Sequence, residues 1–195
     1  MVESDFDKNY FERFYFCEET RVAERCHYDR SARFLISYLD FINARPETVL
    51  DAGCGTGWIH RGLLAEIPTL TIKAFDVSTY VSSKYGWDNA SILDYQNRDK
   101  FDLVICNDVL QYLNDTDAGV ALERLASWTC SVLYFSVLTT EDWERNCDRK
   151  LTDGSVYLRP ANWYRKKLRT RFRNLGGGLY VRADCELVIY ELESL

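Results

Sequence analysis

The sequence predicts an α/β fold in which a parallel β-sheet is covered by helices on both faces. Between residues 48 and 138, apolar runs typical of buried strands alternate with stretches that have helical periodicity. Two of the runs, FDLVICN and CSVLYFSVL, are apolar almost throughout, as in strands whose two faces are both buried. This alternation of strands with helices is typical of a parallel sheet with helices packed on each side.

Residues 1–45 are predicted to be helical and to cover one part of the sheet. Phe6, Tyr10 and Phe14 recur at four-residue spacing, and a second apolar stripe runs from Phe34 to Ile42, shortly before Pro46. In this interpretation residues 1–195 form one domain, with a helical cap at 1–45 and an α/β core at 46–195. The aromatic stripe is interpreted mainly as core packing, and a second role in covering a bound ligand stays open for Tyr10, Phe14 and Tyr15.

The α/β core is predicted from short runs in chain order. The predicted strands are TVLDA, LTIKAF, ASIL, FDLVICN and CSVLYFSVL, and the predicted helices are WIHRGLLAEI, STYVSSKY and the stretch around 118–125. A polar segment follows, and then RPANWYRKKLRTRF predicts a helix whose inner stripe is Tyr164, Leu168 and Phe172. LGGGLYVR and CELVIYEL are predicted to be two closing strands joined by a short turn.

Composition excludes several classes of protein. With 47% apolar and 28% charged residues, the 195-residue chain is globular, and no apolar run approaches the ~20 residues that span a bilayer. The net charge of −6 disfavours general nucleic-acid binding. The 7 cysteines form no CxxC pair and the N-terminus lacks a signal peptide, which predicts reduced thiols in a cytoplasmic protein. The 2 histidines lie far apart in sequence, so we expect no metal site.

The stretch VLDAGCGTG is the strongest local motif. Gly53, Gly55 and Gly57 alternate after an apolar run that ends in Asp51. A phosphate-binding P-loop would need GxxxxGK[ST], which is absent, and a dinucleotide site would place its third glycine where Trp58 stands. A carboxylate beside the turn suits a cationic ligand better than a pyrophosphate.

The motif and three later acids resemble the class I S-adenosylmethionine-dependent methyltransferases. VLDAGCGTG matches the first motif of that family, and Asp76, Asp94 and the pair Asn107–Asp108 follow three later strands in the family's order. The resemblance implies a three-layer Rossmann-like methyltransferase fold, with a seven-stranded, mostly parallel sheet whose last strand is antiparallel. It also implies S-adenosylmethionine as cofactor, bound by Asp51, Ala52, Gly53, Cys54, Gly55, Gly57, Asp76, Val77, Leu93, Asp94, Asn107 and Asp108.

The methyl acceptor is expected over the ends of the fourth and fifth strands, and a small molecule is the default. Glu141 is the first candidate for a base or an acceptor-orienting group, and a helix cap is its alternative role. Many family members have histidine where this chain has Gln111, which leaves open a module that binds cofactor without catalysis, or a protein or peptide acceptor. The candidate acceptor contacts are Gln111, Tyr112, Trp143, Tyr157 and Trp163.

The segment from Arg159 to Arg173 contains seven basic residues and no acid. A solvated outer helix face is the favoured interpretation, and capture of an acidic substrate or partner is the alternative.

Overall fold

A computed structural model describes residues 6–193 and shows a seven-stranded sheet with helices on both faces. The strand order is β3-β2-β1-β4-β5-β7-β6. The strands are β1 Thr48–Ala52, β2 Thr71–Asp76, β3 Asp88–Asn89, β4 Phe101–Asn107, β5 Thr129–Ser136, β6 Phe172–Gly176 and β7 Leu179–Arg182. The helices are α1 Lys8–Phe11, α2 Arg25–Phe41, α3 Trp58–Glu66, α4 Thr79–Tyr85, α5 Asp115–Trp128, α6 Thr140–Arg145 and α7 Ala161–Leu168.

The sheet is parallel from β3 to β5 and changes direction only at β7. β1 pairs in parallel with both β2 and β4, and β4 pairs in parallel with β5. β7 runs antiparallel between β5 and β6. The predicted α/β fold, with its antiparallel last strand, is therefore confirmed. The strand order reverses between β1 and β4, and in open α/β sheets ligands bind at the carboxyl ends of the strands at such a point.

Neighbouring residues of the central strands supply the cores on opposite faces of the sheet. On β1, Val49 packs with α2 and α3 on one face, whereas Leu50 packs with α5 and α7 on the other. Leu103 and Val104 of β4 divide in the same way. Because strand side chains alternate in direction, an apolar residue at every position is what a sheet covered on both faces requires. Within residues 6–193, no helix is both long and apolar enough to cross a membrane.

The N-terminal cap is less continuous than predicted. Residues 1–5 lie outside the described part of the chain. After α1, one π-helical turn spans Glu12–Phe16, and an irregular stretch at 17–24 precedes α2. The four-residue aromatic spacing therefore belongs to a short helix and a π turn rather than to one long helix.

The predicted third strand, ASIL, was misplaced by two residues. β3 consists of Asp88 and Asn89, which pair with Phe75 and Asp76 of β2. Residues 90–93 instead enter a turn organised by Ser91, whose carbonyl accepts from the amide of Tyr95 and whose hydroxyl accepts from the amide of Leu93. Serine competes for backbone hydrogen bonds in this way at turns, and that outweighs the strand propensity of the run.

The two closing strands were also misplaced. The three consecutive glycines 176–178 all have positive φ; Gly176 ends β6, and Gly177 and Gly178 form the turn to β7 rather than the start of a strand. Phe172 begins β6 instead of extending α7. The predicted strand at 185–192 is not one, although Cys185, Leu187 and Ile189 pack on the core at every second position. The alternation of apolar and polar residues is consistent with one buried side of this segment, but it does not show whether a neighbouring strand is available to pair with it.

Candidate functional site

The glycine turn connects β1 to α3 at the point where the strand order reverses. Its amides at Gly53 and Cys54 donate to the carbonyl of Phe75 at 2.9 and 3.1 Å, which ties the turn to the end of β2. Gly53, Gly55 and Gly57 have φ values of 74°, 51° and 69°. A Cβ at Gly53 would lie 2.5 Å from a methyl group of Val109, so both conformation and space demand glycine there.

Asp76 ends β2 and holds its carboxylate against this turn. One oxygen accepts from the amide of Gly55 at 2.7 Å and the other from the amide of Ser78 at 2.8 Å. Loss of solvation on burial raises the pKa of this carboxyl, against the lowering effect of the two amides. The carboxylate therefore lies inside the protein, beside the backbone of the glycine turn.

Asn107 and Asp108 extend the site from the end of β4. The amide of the Asn107 side chain donates to the Asp108 carboxylate at 2.9 Å. Asp108 has φ of 56°, in the left-handed region, which aspartate tolerates better than most residues. Its side chain is exposed at the cavity, and the desolvation caused by the surrounding protein raises the pKa of its carboxyl.

The ends of β1, β2 and β4 line one cavity of about 60 Å³. Asp76 and Asp108 supply its charged groups, and its described lining contains no lysine, arginine or histidine. The remaining lining is mostly aromatic and apolar. The lining residues are Phe6, Tyr10, Phe11, Tyr15, Gly53, Gly55, Phe75, Asp76, Val77, Ala90, Ile92, Asn107, Asp108, Val109 and Tyr112.

The N-terminal aromatic residues form the outer wall of this cavity. Phe11 contacts the space above Gly55 and packs against Tyr80, while Ser78 donates a hydrogen bond from its hydroxyl to the carbonyl of Phe6. Tyr10 joins its hydroxyl to that of Tyr112 at 2.8 Å. The stripe interpreted mainly as core packing thus also encloses the candidate site.

A second, larger cavity of about 610 Å³ lies on the other side of this wall. Phe6, Tyr10 and Tyr112 line both cavities, so the two spaces share an aromatic boundary. We call this second cavity the outer groove and the first one the inner cavity. The rest of the outer groove is lined by charged, polar and aromatic residues. They are Asp7, Asn9, Arg13, Phe14, Asp153, Ser155 and Tyr157.

The structure brings some predicted cofactor residues to the cavity and places others elsewhere. Gly53, Gly55, Asp76, Val77, Asn107 and Asp108 line it. Leu93 and Asp94 do not: Leu93 packs on the core and Asp94 is exposed, since the turn at Ser91 directs them away. Ala90 and Ile92, from the same ASIL run, line the cavity instead.

Asp51, which the sequence also assigned to the cofactor, does not line the cavity. Its carboxylate is buried and accepts a hydrogen bond from Nδ1 of His60 at 2.7 Å, outside the lining of the cavity. Ala52 is buried in β1, while Cys54 and Gly57 belong to the turn without lining the cavity. The sequence interpretation missed His60, although it lies one helical turn inside α3 and follows the acid closely.

Glu141 is placed as a helix cap rather than as a base. Its carboxylate accepts from the amide of Ala161 at 3.0 Å, at the start of α7 rather than of its own helix. This hydrogen bond lowers the pKa of the Glu141 carboxyl, which weakens it as a base. Glu141 lines neither the inner cavity nor the outer groove, so the geometry disfavours the predicted catalytic role.

The predicted acceptor contacts divide between the groove and the core. Tyr112 and Tyr157 line the outer groove. Trp143 packs under the guanidinium of Arg149, and Trp163 packs against Tyr164, so neither reaches the groove. Gln111 is buried, and its Oε1 has no hydrogen-bond partner among the described residues.

The basic segment is largely a solvated face, as favoured from the sequence. Arg165, Lys166, Lys167 and Arg169 are exposed on or just after α7. Arg159 is the exception, because it is buried and donates to Asp115 at 2.7 Å and to Tyr164 at 2.9 Å.

The glycine turn lies where the strand order reverses, an acid ends the next strand, and a mostly apolar cavity lies between them. This arrangement is typical of α/β proteins that bind nucleoside-type ligands. The chain belongs to the methyltransferase-domain family, whose model matches residues 25–177. The resemblance predicted from the sequence is thereby confirmed at the level of the family.

Known proteins of this family share part of the sequence and the fold. The chain is 29% identical over 132 residues to a malonyl-[acyl-carrier protein] O-methyltransferase of Acetivibrio thermocellus, covering 56% of this chain and 47% of that protein. It is 33% identical over 97 residues to the protein of the same name from Halalkalibacterium halodurans, covering 43% and 35%. The chain thus spans about half or less of these curated relatives.

A solved structure supports the fold over nearly the whole chain. Magnesium protoporphyrin IX methyltransferase from Synechocystis PCC 6803, with bound SAH, superimposes with a TM-score of 0.64 at 19% identity. The match covers 93% of this chain and 98% of that one. At this identity the likeness concerns the fold.

Proposed function

We propose that this chain binds S-adenosylmethionine in the inner cavity and directs transfer of its methyl group to a small-molecule acceptor. The charge of the cavity carries the proposal: its ionisable carboxylates are Asp76 and Asp108, and its described lining holds no lysine, arginine or histidine. Such a site suits a ligand with an ammonium and a sulfonium group and is unfavourable for a pyrophosphate. The family and the names of its curated members support the same assignment.

The residues present fit this cofactor. Backbone at Gly53 and Gly55 can approach a ligand closely, Asp76 can accept hydrogen bonds from ribose hydroxyls, and Ala90 and Ile92 offer an apolar surface to a flat base. Bound there, S-adenosylmethionine supplies an electrophilic methyl group. Because about 60 Å³ holds only a few water molecules, the aromatic wall must move outward to admit it.

The outer groove is the proposed acceptor site. It adjoins the inner cavity across Tyr10 and Tyr112, and it combines aromatic walls with a few polar groups, as small-molecule pockets do. Burial raises the pKa of both tyrosines, so their hydroxyls are neutral hydrogen-bonding groups at physiological pH. They can orient an acceptor without removing a proton from it.

The protein's part in the reaction is then mainly alignment. A methyl donor of this type is already reactive, and correct placement of two reactants can lower a barrier by up to ~7–11 kcal/mol. If the acceptor must lose a proton, Asp108 is better suited than Glu141, because it lies in the cavity with a raised pKa.

Calorimetry with S-adenosylmethionine and its demethylated product, SAH, tests the cofactor assignment. We expect saturable 1:1 binding of both, and an increase in Kd of about 10- to 100-fold for Asp76→Asn, since hydrogen bonds to charged groups contribute ~1.5–3 kcal/mol. Asp94→Asn is the matched control, because that carboxylate is exposed outside the cavity and should leave Kd unchanged. Binding of NAD with no binding of either methionine nucleoside would refute the proposal.

Transfer itself distinguishes catalysis from the alternative of a non-catalytic cofactor-binding module. That alternative is favoured by Gln111 standing where many family members have histidine. Cofactor labelled in the methyl group is incubated with a panel of small acceptors and with acidic carrier-protein thioesters, which the names of the curated relatives suggest. Label on a small acceptor supports the proposal, label only on a carrier-linked acceptor redirects it to protein-bound substrates, and label on none supports the non-catalytic module.

A further inference from the structure

The glycine turn is supported from its outer side by two side chains that do not line the cofactor cavity. His60, from α3, donates from Nδ1 to the buried carboxylate of Asp51 at 2.7 Å. Trp87, which follows α4, donates from its indole nitrogen to the carbonyl of Gly55 at 3.1 Å. One hydrogen bond therefore holds the strand end just before the turn, and the other holds the middle of the turn.

The two supporting rings also contact each other. Their centroids lie 4.8 Å apart at 82°, an edge-to-face contact of the kind that aromatic pairs prefer. They close over Gly57, where an added Cβ would lie 2.6 Å from His60 and 2.7 Å from Trp87. His60 and Trp87 thus form one unit packed against the outer side of the turn, which we term the turn brace.

His60 and its partner Asp51 are buried, so the loss of the hydrogen bond between them is not easily replaced by water. Asp51 is 4% exposed and His60 2%, so neither group can exchange its partner for water without exposing the base of the turn. An ionised carboxylate has no hydrogen to donate, which places the hydrogen on Nδ1 of His60. A buried carboxylate is costly unless it is paired, so the pair fixes where β1 ends and the turn begins.

We propose that His60 and Trp87 are positioning residues for the cofactor, acting through the glycine turn on the Gly53–Gly55 backbone that lines the cavity. The inference rests on the proposed function of that cavity. On the cavity side Asp76 holds the amide of Gly55, while on the outer side Trp87 holds its carbonyl. The peptide groups on both sides of Gly55 are therefore fixed from opposite directions, which is the preorganisation that a close backbone contact with a ligand needs.

Three variants and a control test the brace by SAH calorimetry. Trp87→Phe keeps the ring contact but removes the donor, and should raise Kd about 3- to 10-fold, as loss of one ordinary hydrogen bond would. His60→Leu keeps the volume and leaves Asp51 unpaired, and should raise Kd about 10- to 100-fold. His60→Asn restores a donor near the Nδ1 position and should recover most of the affinity.

Tyr95→Phe is the matched control. It removes a tyrosine hydroxyl that donates to Asp88 at 3.1 Å, close to the brace but without contact to the turn. We expect no change in Kd. If Tyr95→Phe weakens binding as much as Trp87→Phe, the effect is general destabilisation and the positioning role is wrong; Kd values within twofold of wild type for both Trp87→Phe and His60→Leu would refute it too.

A ligand-free measurement separates failure of the brace from failure of the proposed function. Amide hydrogen exchange at residues 53–57 should be faster in Trp87→Phe than in wild type, with exchange in α5 unchanged. If wild type binds no SAH, the cofactor assignment fails, and unchanged exchange at the turn would then independently overturn the brace. If His60→Leu does not fold, Trp87→Phe alone decides the question.

Discussion

At the scale of single residues, Asp108 shows a conflict between stability and binding. Its backbone occupies the left-handed region, and its carboxylate faces a cavity where desolvation raises its pKa. Both features cost folding free energy, and both occur in the lining of the cavity that we propose binds the cationic cofactor. Strained, poorly solvated groups of this kind concentrate at functional sites.

We predict that Asp108→Asn raises the Tm of the ligand-free protein at pH 7.5. A carboxyl whose folded pKa is raised stabilises the fold below its unfolded pKa, and this contribution is lost as the pH rises through the folded value. The gain from asparagine should therefore be present at neutral pH and disappear in acid. Thermal unfolding at pH 7.5 and pH 4 measures it, and an equal or lower Tm at pH 7.5 would contradict the argument.

The same substitution should weaken binding of S-adenosylmethionine, because it removes one of two carboxylates from the cavity. Calorimetry at pH 7.5 gives the second half of the test. A variant that is both more stable and unimpaired in binding would show that Asp108 serves some other purpose.

At the scale of elements, α6 and α7 are joined by Glu141. The pKa of its carboxyl is lowered chiefly by the hydrogen bond from the amide of Ala161, at an end of α7 where backbone N–H groups lack helical partners. A group with a lowered folded pKa contributes stability above its unfolded pKa, and that contribution is lost as the pH falls through the folded value.

We therefore predict that Glu141→Gln lowers Tm slightly at pH 7.5 and not in acid, while Kd for SAH stays within twofold of wild type. Thermal unfolding at pH 7.5 and at pH 4 measures the change in Tm, and calorimetry with SAH measures Kd. If methyl transfer falls more than tenfold in a variant whose Tm and Kd are unchanged, the base role predicted from the sequence is restored.

Elements also mark the limit of what the sequence could predict. Apolar runs identified β1, β4 and β5 because both faces of each are largely buried, and a shorter apolar run identified β2, although only its last two residues are buried. The polar residues at the ends of β2 and β4 located Asp76, Asn107 and Asp108. The short β3 was misplaced because its two residues, Asp88 and Asn89, carry no apolar signal. The partner of Glu141 depends on which helices meet in space, and local spacing does not contain that information.

At the scale of the whole molecule, Arg159 connects parts of the chain that lie far apart in sequence. Its guanidinium donates to Asp115 at the start of α5, to the carbonyls of Leu110 and Leu113, and to the hydroxyl of Tyr164 in α7. It is 3% exposed, so these carbonyls cannot turn to solvent when it is removed. The chain at Arg159, just after the groove-lining residue Tyr157, is thereby fixed to the face of the sheet that α5 covers.

We predict that Arg159→Met destabilises the protein by several kcal/mol, since each buried carbonyl left without a donor costs ~1–3 kcal/mol. Urea unfolding measures this, with Arg165→Met as the control, because that arginine is exposed in the same helix region and should change stability by less than ~0.5 kcal/mol. Equal effects for the two variants would mean that the buried network adds nothing.

The aromatic boundary between the two cavities has a consequence for how ligands influence each other. Phe6, Tyr10 and Tyr112 contribute to both linings, so the same three side chains must be ordered before either cavity has its final shape. The binding of the first ligand includes the loss of conformational entropy of these side chains. The second ligand then binds without that cost, because the side chains are already ordered. If cofactor and acceptor bind as proposed, we expect positive cooperativity between them without direct contact, and by reciprocity each should tighten the other by the same factor.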